Sequence, residues 1–192
     1  MSEARVLDTC RGPFRLRPER PEDGPFLFRL FRDTKIGILY LARIPESVIP
    51  GLIEFQHRSR TATYKALFPT AVNWIVEWQD EPIGLLIEHD ETDVVHLVDF
   101  ELIPERQNRG LGTALIGAVM REWAARGRGV RVQVAIENTP SLKLWRKLGF
   151  VETGVDESAY MGLRWDPPAG KAEPGEAPAG ARAGRGRAAG KA

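Results

Sequence analysis

The stretch that most limits the folds open to this chain runs from Val94 to about Arg126. Val94 to Ile103 (VVHLVDFELI) reads as a strand. It passes through Gln107-Asn108-Arg109-Gly110-Leu111-Gly112 into an amphipathic helix, where Leu111, Leu115, Ala118 and Val119 recur at helical spacing beside Ile116, Met120 and Trp123. Gly127 and Gly129 close that helix. A strand, a glycine-bearing loop and a helix in immediate succession belong to the layered α/β architectures.

The rest of the chain extends the pattern. Phe14 to Pro18 reads as a short edge strand. Pro21, Glu22 and Asp23 start a helix carrying Phe26, Leu27, Leu30 and Phe31 as its apolar stripe. A second helical region spans about Glu46 to Leu67, interrupted or delayed by Pro50 and Gly51. Val72 to Trp78 and Pro82 to Glu88 form a hairpin about Gln79, Asp80 and Glu81. Val130 to Ile136 is a further strand, and Thr139 is read as the cap of a short helix whose first residue is Pro140. Gly149 ends that helix, and Phe150 to Glu152 and Tyr160 to Trp165 finish as strands. This order predicts an α/β fold with a mixed sheet.

Composition sets the boundaries. The chain has 192 residues, 43% hydrophobic and 28% charged, the values of a globular domain. From Pro167 to Ala192 it changes: 9 Ala, 6 Gly and 4 Pro fill 19 of the 26 positions, and no large apolar side chain is present. Such a segment has nothing to offset the entropy of ordering and is expected to be a disordered basic tail. The organisation expected is a flexible N-terminus over 1–12, one domain over 13–166, and the tail over 167–192. The tail carries a formal charge of +3, which leaves −2 on the remainder of a chain whose total is +1. That balance argues against a nucleic-acid partner. The single cysteine, Cys10, excludes an internal disulfide framework, and three histidines leave little for a metal centre. No apolar run approaches the roughly 20 residues needed to span a bilayer, and MSEARVLDTC lacks the apolar stretch of a secretory signal. The expectation is a metal-free cytoplasmic protein without a membrane partner.

The loop carries the chemistry. Two glycines let a backbone turn tightly and approach a ligand, and the helix that follows presents unpaired N–H groups and the positive end of its dipole. That combination suits a phosphate or pyrophosphate. No Lys-Ser or Lys-Thr follows the second glycine, so the Walker pattern is absent, and Leu115 stands where a dinucleotide fingerprint needs its third glycine.

A second segment sharpens the reading. With Asn138, Ser141, Leu144, Gly149 and Phe150 in one run, the chain resembles the GNAT superfamily of acyl-CoA-dependent N-acetyltransferases. The family's phosphate loop, Gln/Arg-x-x-Gly-x-Gly/Ala, is matched by Gln107, Gly110 and Gly112. Its later motif, Asn-x-x-Ala-x-x-Leu-Tyr-x-x-x-Gly-Phe, is matched by Asn138, Leu144, Gly149 and Phe150, with Ser141 for the small residue. Pro104 also sits where the family commonly has proline.

The resemblance implies a mixed sheet flanked by helices and splayed between the strand ending at Ile103 and the strand Val130 to Ile136, with acetyl-CoA as acetyl donor in the opening. It implies that Leu102 offers its N–H to the thioester carbonyl, with Phe100 and Glu101 beside it along the pantetheine arm. The backbone of Asn108, Arg109, Gly110, Leu111, Gly112 and Thr113 would hold the pyrophosphate, with Gln107 shaping the loop. Asn138 would contact the cofactor from the far side, or serve as a turn residue. The reaction implied is direct transfer to a primary amine of a small molecule or protein, by a monomer or homodimer. An amine must shed its proton to attack, and a carboxylate can accept it. Asp99 is the first candidate because it sits mid-strand among Leu97, Val98 and Phe100; Glu101, two residues on and on the same face, is the second. Gln56, His57, Arg58 and Tyr64 are candidates for the acceptor wall. Trp145 stands where many family members have a tyrosine acid, and an indole N–H cannot fill that role. Tyr160 is a substitute acid to consider, and the alternative function is a non-catalytic acyl-CoA-binding regulatory module.

Overall fold

Residues 3–168 are described in a computed structural model. The tail expected from Pro167 onward lies outside the described residues except for Pro167 and Pro168. Among the described residues eight strands form one sheet: β1 (Arg5–Leu7), β2 (Phe14–Pro18), β3 (Val72–Trp78), β4 (Glu81–Asp90), β5 (Val94–Leu102), β6 (Gly129–Ala135), β7 (Val151–Val155) and β8 (Tyr160–Trp165). Their order is β1-β2-β3-β4-β5-β6-β8-β7, antiparallel throughout except where β5 meets β6. Among the described residues four α-helices flank the sheet: α1 (Gly24–Leu41), α2 (Ile49–Leu67), α3 (Leu111–Ala124) and α4 (Thr139–Lys147). Among the described residues no helix is long and apolar enough to cross a membrane.

The α3 stripe is the centre of the larger core. Leu115, Ile116 and Val119 are fully buried against Phe14, Leu16, Val76, Leu86, Val95 and Val130. On the opposite face Leu30 of α1 packs on Leu85 and Ile87, and Phe31 packs with Ile49 and Ile53 of α2. The sheet is therefore covered on both sides, as a mixed sheet with apolar central strands requires.

Several boundaries differ from the expectation. Arg5–Leu7 lies within the stretch read as a flexible N-terminus, yet it pairs with β2, Leu7 opposite Phe14. A three-residue strand has too few positions to show alternation, so its signal is below notice. The β3–β4 turn has two residues, Gln79 and Asp80, both left-handed, rather than three. Asn138, not Thr139, caps α4: the Ser141 N–H donates to Asn138 Oδ1 at 3.2 Å. Adjacent Asn and Thr are both good caps, and the choice rests on backbone geometry.

Two irregularities in the central strands position the site. β5 and β6 pair only from Val94 opposite Gly129 to Leu97 opposite Val132. Beyond Leu97, β5 continues to Leu102 without a partner on that edge, while β6 remains paired to β8. The two strands diverge and open a gap. At the same level β5 holds an extra residue: Ile87 opposes Asp99 and Glu88 opposes Leu97, so Val98 has no partner. Such a bulge resets the alternation of side chains. Val95 and Leu97 join the core under α3, and so do Phe100 and Leu102, whereas Val98 packs on the α1 side. Without the extra residue, Asp99 and Glu101 would follow Val95 and Leu97 into that core.

Gly84 of β4 faces this segment. A Cβ there would fall inside contact distance of the Glu101 carbonyl oxygen and 2.7 Å from Leu102 Cδ2. Gly84→Ala is expected to destabilise by about 1–3 kcal/mol, the usual range for overpacking. In a domain of this size the melting temperature should fall by roughly 2–10 °C, and a thermal melt checks it.

Candidate functional site

The gap exposes one edge of β5. The Ile103 N–H donates to Ile83 O on β4 at 2.8 Å. Backbone groups alternate between the two edges of a strand, so Phe100 and Leu102 direct theirs to the gap and Glu101 directs its own to β4. The Leu102 carbonyl confirms the direction, for it accepts from Gln107 Nε2 at 2.8 Å. Of the three residues proposed to line the pantetheine arm, Phe100 and Leu102 thus offer backbone groups to the opening, and Glu101 does not. The Leu102 N–H faces the gap, and Gln107 ties the loop to the strand that precedes it.

The loop turns as its glycines permit. Pro104–Arg106 forms a single 3-10 turn, Asn108 is left-handed at φ 56°, and Gly110 is left-handed at φ 78° at the cap of α3. Ala114 N–H donates to Gly110 O at 3.0 Å, which begins the helical ladder. Among the described residues, no hydrogen bond claims the N–H groups of Gly110, Leu111, Gly112 and Thr113. Four adjacent donors therefore converge at a helix N-terminus, the arrangement that receives a phosphoryl group. Gly112 is held closely: a Cβ there would lie 3.3 Å from Phe100 Cε1, so the first turn of α3 rests directly on β5.

The two carboxylates share one cation. Arg60 Nη1 donates to Asp99 Oδ2 at 3.0 Å and to Glu101 Oε1 at 2.9 Å. All three side chains are largely buried, with exposures of 19% for Arg60, 15% for Asp99 and 11% for Glu101. Arg60 also lies over the Phe31 ring, 4.4 Å from its centroid, which fixes the guanidinium between α1 and the sheet. Burial and the Glu101 charge push the Asp99 carboxyl up to about 6, against the opposing pull of Arg60 and Lys35. Glu101 Oε2 is buried with no partner among the described residues. Sequence reasoning placed Asp99 and Glu101 on one face, and the shared donor bears that out. It missed Arg60, which lies in the second helical region and was not among the candidates. The available signal was chemical: two acids on one buried strand face need a counter-charge.

The remaining candidates separate. The His57 ring packs against Phe28 and Phe31, with centroids 5.4 and 5.3 Å away, and burial lowers its pKa with Arg60 adding to the effect. Arg58 is 71% exposed and lies 3.7 Å from Glu54, so His57 and Arg58 do not form the anion-binding pair that their adjacency invites. Tyr64 is pushed well above the ordinary tyrosine range, chiefly by burial and then by Asp99. Trp145 is core: it is 4% exposed, donates to Ser141 Oγ at 3.1 Å and meets Phe150 edge-on. Tyr160 is exposed at the end of β8 beside the gap. Among the described residues no group of three His, Cys, Asp or Glu is placed to hold a metal ion.

The raised Asp99 pKa makes a statement about stability. The folded protein holds the Asp99 proton to higher pH than the unfolded chain, so the stabilisation is full below the ordinary aspartate value and is lost as pH rises through about 6. Asp99→Asn carries no such charge and is expected to flatten the fall in melting temperature between pH 4 and 7. Melting curves of both proteins across that window check it, and parallel curves would contradict the assignment.

A profile of the Acetyltransferase (GNAT) family matches residues 19–150. No curated protein matches the chain. Among solved structures it is similar to the PaiA N-acetyltransferase of Thermoplasma acidophilum in complex with coenzyme A, at 17% identity and a TM-score of 0.59, over 80% of this chain and 98% of that one. It is also similar to RimJ of Mycobacterium smegmatis in complex with CoA-disulfide, at 17% identity and a TM-score of 0.57, over 85% and 86% of the two chains. An acetyltransferase of Thermus thermophilus matches at 18% identity and a TM-score of 0.57, over 80% and 96%. At these identities the likeness is one of fold: an open mixed sheet flanked by helices. The family profile begins just after β2, ends just before β7 and encloses Arg60, Asp99, Glu101 and the loop from Gln107 to Thr113, so the chain belongs to the Acetyltransferase (GNAT) family.

Proposed function

We propose that the protein transfers the acetyl group of acetyl-CoA directly to a primary amine of a small molecule or a protein, with Asp99 as the proton acceptor. The observation that carries this reading is the placement of a buried carboxylate on the strand whose free edge opens toward four unclaimed N–H donors.

Acetyl-CoA fits the residues present, because among the described residues the N–H groups of Gly110 to Thr113 have no protein partner and the β5 edge past Leu97 pairs with no strand. Leu102, Gln107, Asn108, Arg109, Gly110, Leu111, Gly112 and Thr113 would hold it from one side of the gap, and Asn138 from the other. Asn138 Oδ1 already receives the Ser141 N–H, which leaves its amide N–H groups for that role. Bound there, acetyl-CoA supplies an acetyl thioester. The Leu102 N–H orients the acyl carbonyl and favours negative charge on its oxygen.

Asp99 accepts the proton that the amine must lose. A carboxyl near 6 is ionised at neutral pH and is a stronger base than an ordinary aspartate. Arg60 orients it and donates to Glu101 beside it. Glu101 is the second candidate for the same step. Trp145 contributes packing and no proton, and Tyr64 is too weak an acid to donate at neutral pH. The departing thiolate is therefore left to water. That feature favours one rival reading, a non-catalytic acyl-CoA-binding module, which would bind CoA tightly and turn over no amine.

Asp99→Asn is expected to lower turnover at neutral pH by about 10²–10⁴-fold while leaving CoA affinity near that of the parent. The deficit should shrink at alkaline pH, where free amine forms without help. A pH–rate profile over an amine panel measures this, and a deficit equal at every pH would remove Asp99 from the proton transfer.

A further inference from the structure

The loop between β1 and β2 carries a cation, Arg11, that forms no ion pair among the described residues. Four hydrogen bonds fix this short segment. Thr9 Oγ1 accepts from the Arg11 N–H at 3.0 Å and donates to Gly12 O at 2.8 Å. Gly12 N–H donates to Thr9 O at 3.1 Å, and Trp78 Nε1 donates to Arg11 O at 2.9 Å. Gly12 is left-handed at φ 90°, which closes the turn. The result directs the Arg11 side chain across to the start of α3. A Cβ built on Gly110 would lie 3.2 Å from Arg11 Nη2, 3.5 Å from Nε and 3.7 Å from Cζ. The guanidinium therefore lies against the bare face of Gly110.

Among the described residues no carboxylate pairs with Arg11, and its guanidinium makes no hydrogen bond. The contrast with its neighbours is informative. Arg106 is held by Glu81 at 3.0 Å and rests on the Trp78 ring; Arg15 and Arg17 are both held by Glu77. Arg11 alone among these four is brought to the loop by a hydrogen-bonded turn and left with its donors open.

We propose that Arg11 is a cofactor-binding residue whose guanidinium contacts the diphosphate of CoA, closing the loop site from the N-terminal side. This rests on the reading of the loop as the phosphate site. Backbone N–H groups supply directional donors at Gly110–Thr113 but no net charge, whereas a diphosphate carries negative charge that a planar guanidinium receives with paired donors. It also sets Gly110 close to the guanidinium as well as in a left-handed φ, since a Cβ there would lie 3.2 Å from Arg11 Nη2 and press on it.

Calorimetric titration of CoA and of dephospho-CoA into the full chain, Arg11→Gln and Arg109→Glu tests the inference. Both substitutions are at exposed positions, and melting curves verify that the variants fold. Arg11→Gln is expected to weaken CoA and dephospho-CoA alike, by about tenfold, the scale of one charge-assisted hydrogen bond. Its dependence on salt should be shallower than that of the parent. Weakening by Arg109→Glu with unchanged affinity in Arg11→Gln would overturn the inference and leave the loop reading standing. Weakening of CoA but not of dephospho-CoA by Arg11→Gln would move the contact to the 3′-phosphate and overturn the diphosphate assignment. Unchanged affinity in Arg109→Glu would overturn the loop reading and this inference with it.

Discussion

The ladder between β5 and β6 ends after Leu97 opposite Val132, and most of the site follows from that ending. A parallel pair that continued would bury the backbone groups of Phe100 and Leu102 in the sheet. Ending it leaves polar groups that need a partner, because a buried backbone donor or acceptor without one is costly. Gln107 meets part of the requirement at the Leu102 carbonyl, and the rest faces the opening. The extra residue at Val98 acts at the same level of the strand. It turns two carboxylates to one face and two apolar side chains to the other, so one short segment serves both the core and the site.

The carboxylates are kept by a single guanidinium. Removing two acids from water is unfavourable unless a cation and hydrogen bonds compensate. Arg60 provides both through one nitrogen and is itself braced by Phe31. The compensation is incomplete: Glu101 Oε2 has no partner among the described residues, and the Asp99 carboxyl sits well above its ordinary value. A group held between full burial and full neutralisation is the one whose proton affinity lies closest to physiological pH.

How much of this was legible in the sequence depended on how local each feature is. The loop was legible because glycine, helix start and preceding strand are consecutive, and the shared face of Asp99 and Glu101 followed from the two-residue period. The bulge was not, because the extra residue exists only relative to β4, and nothing in VVHLVDFELI marks Val98 as the unpaired one. Arg60 was not, because it lies 39 residues before Asp99 and meets it only once α2 is packed. Trp145 could be denied an acid's role from its chemistry, but its place in the core required the partners Ser141 and Phe150. β1 was hidden by its brevity.

The chain's one thiol acquires a use from its location. Cys10 is exposed and free, one residue before the side chain that lies on Gly110. A solvent-accessible thiol with no competitor elsewhere in the sequence accepts a maleimide dye at a single position without engineering. A fluorophore there would sit at the rim of the loop, on a turn held by Thr9 and Trp78 rather than on a loose end. Its emission would follow occupancy of the loop optically, in a protein that retains every residue of its native sequence.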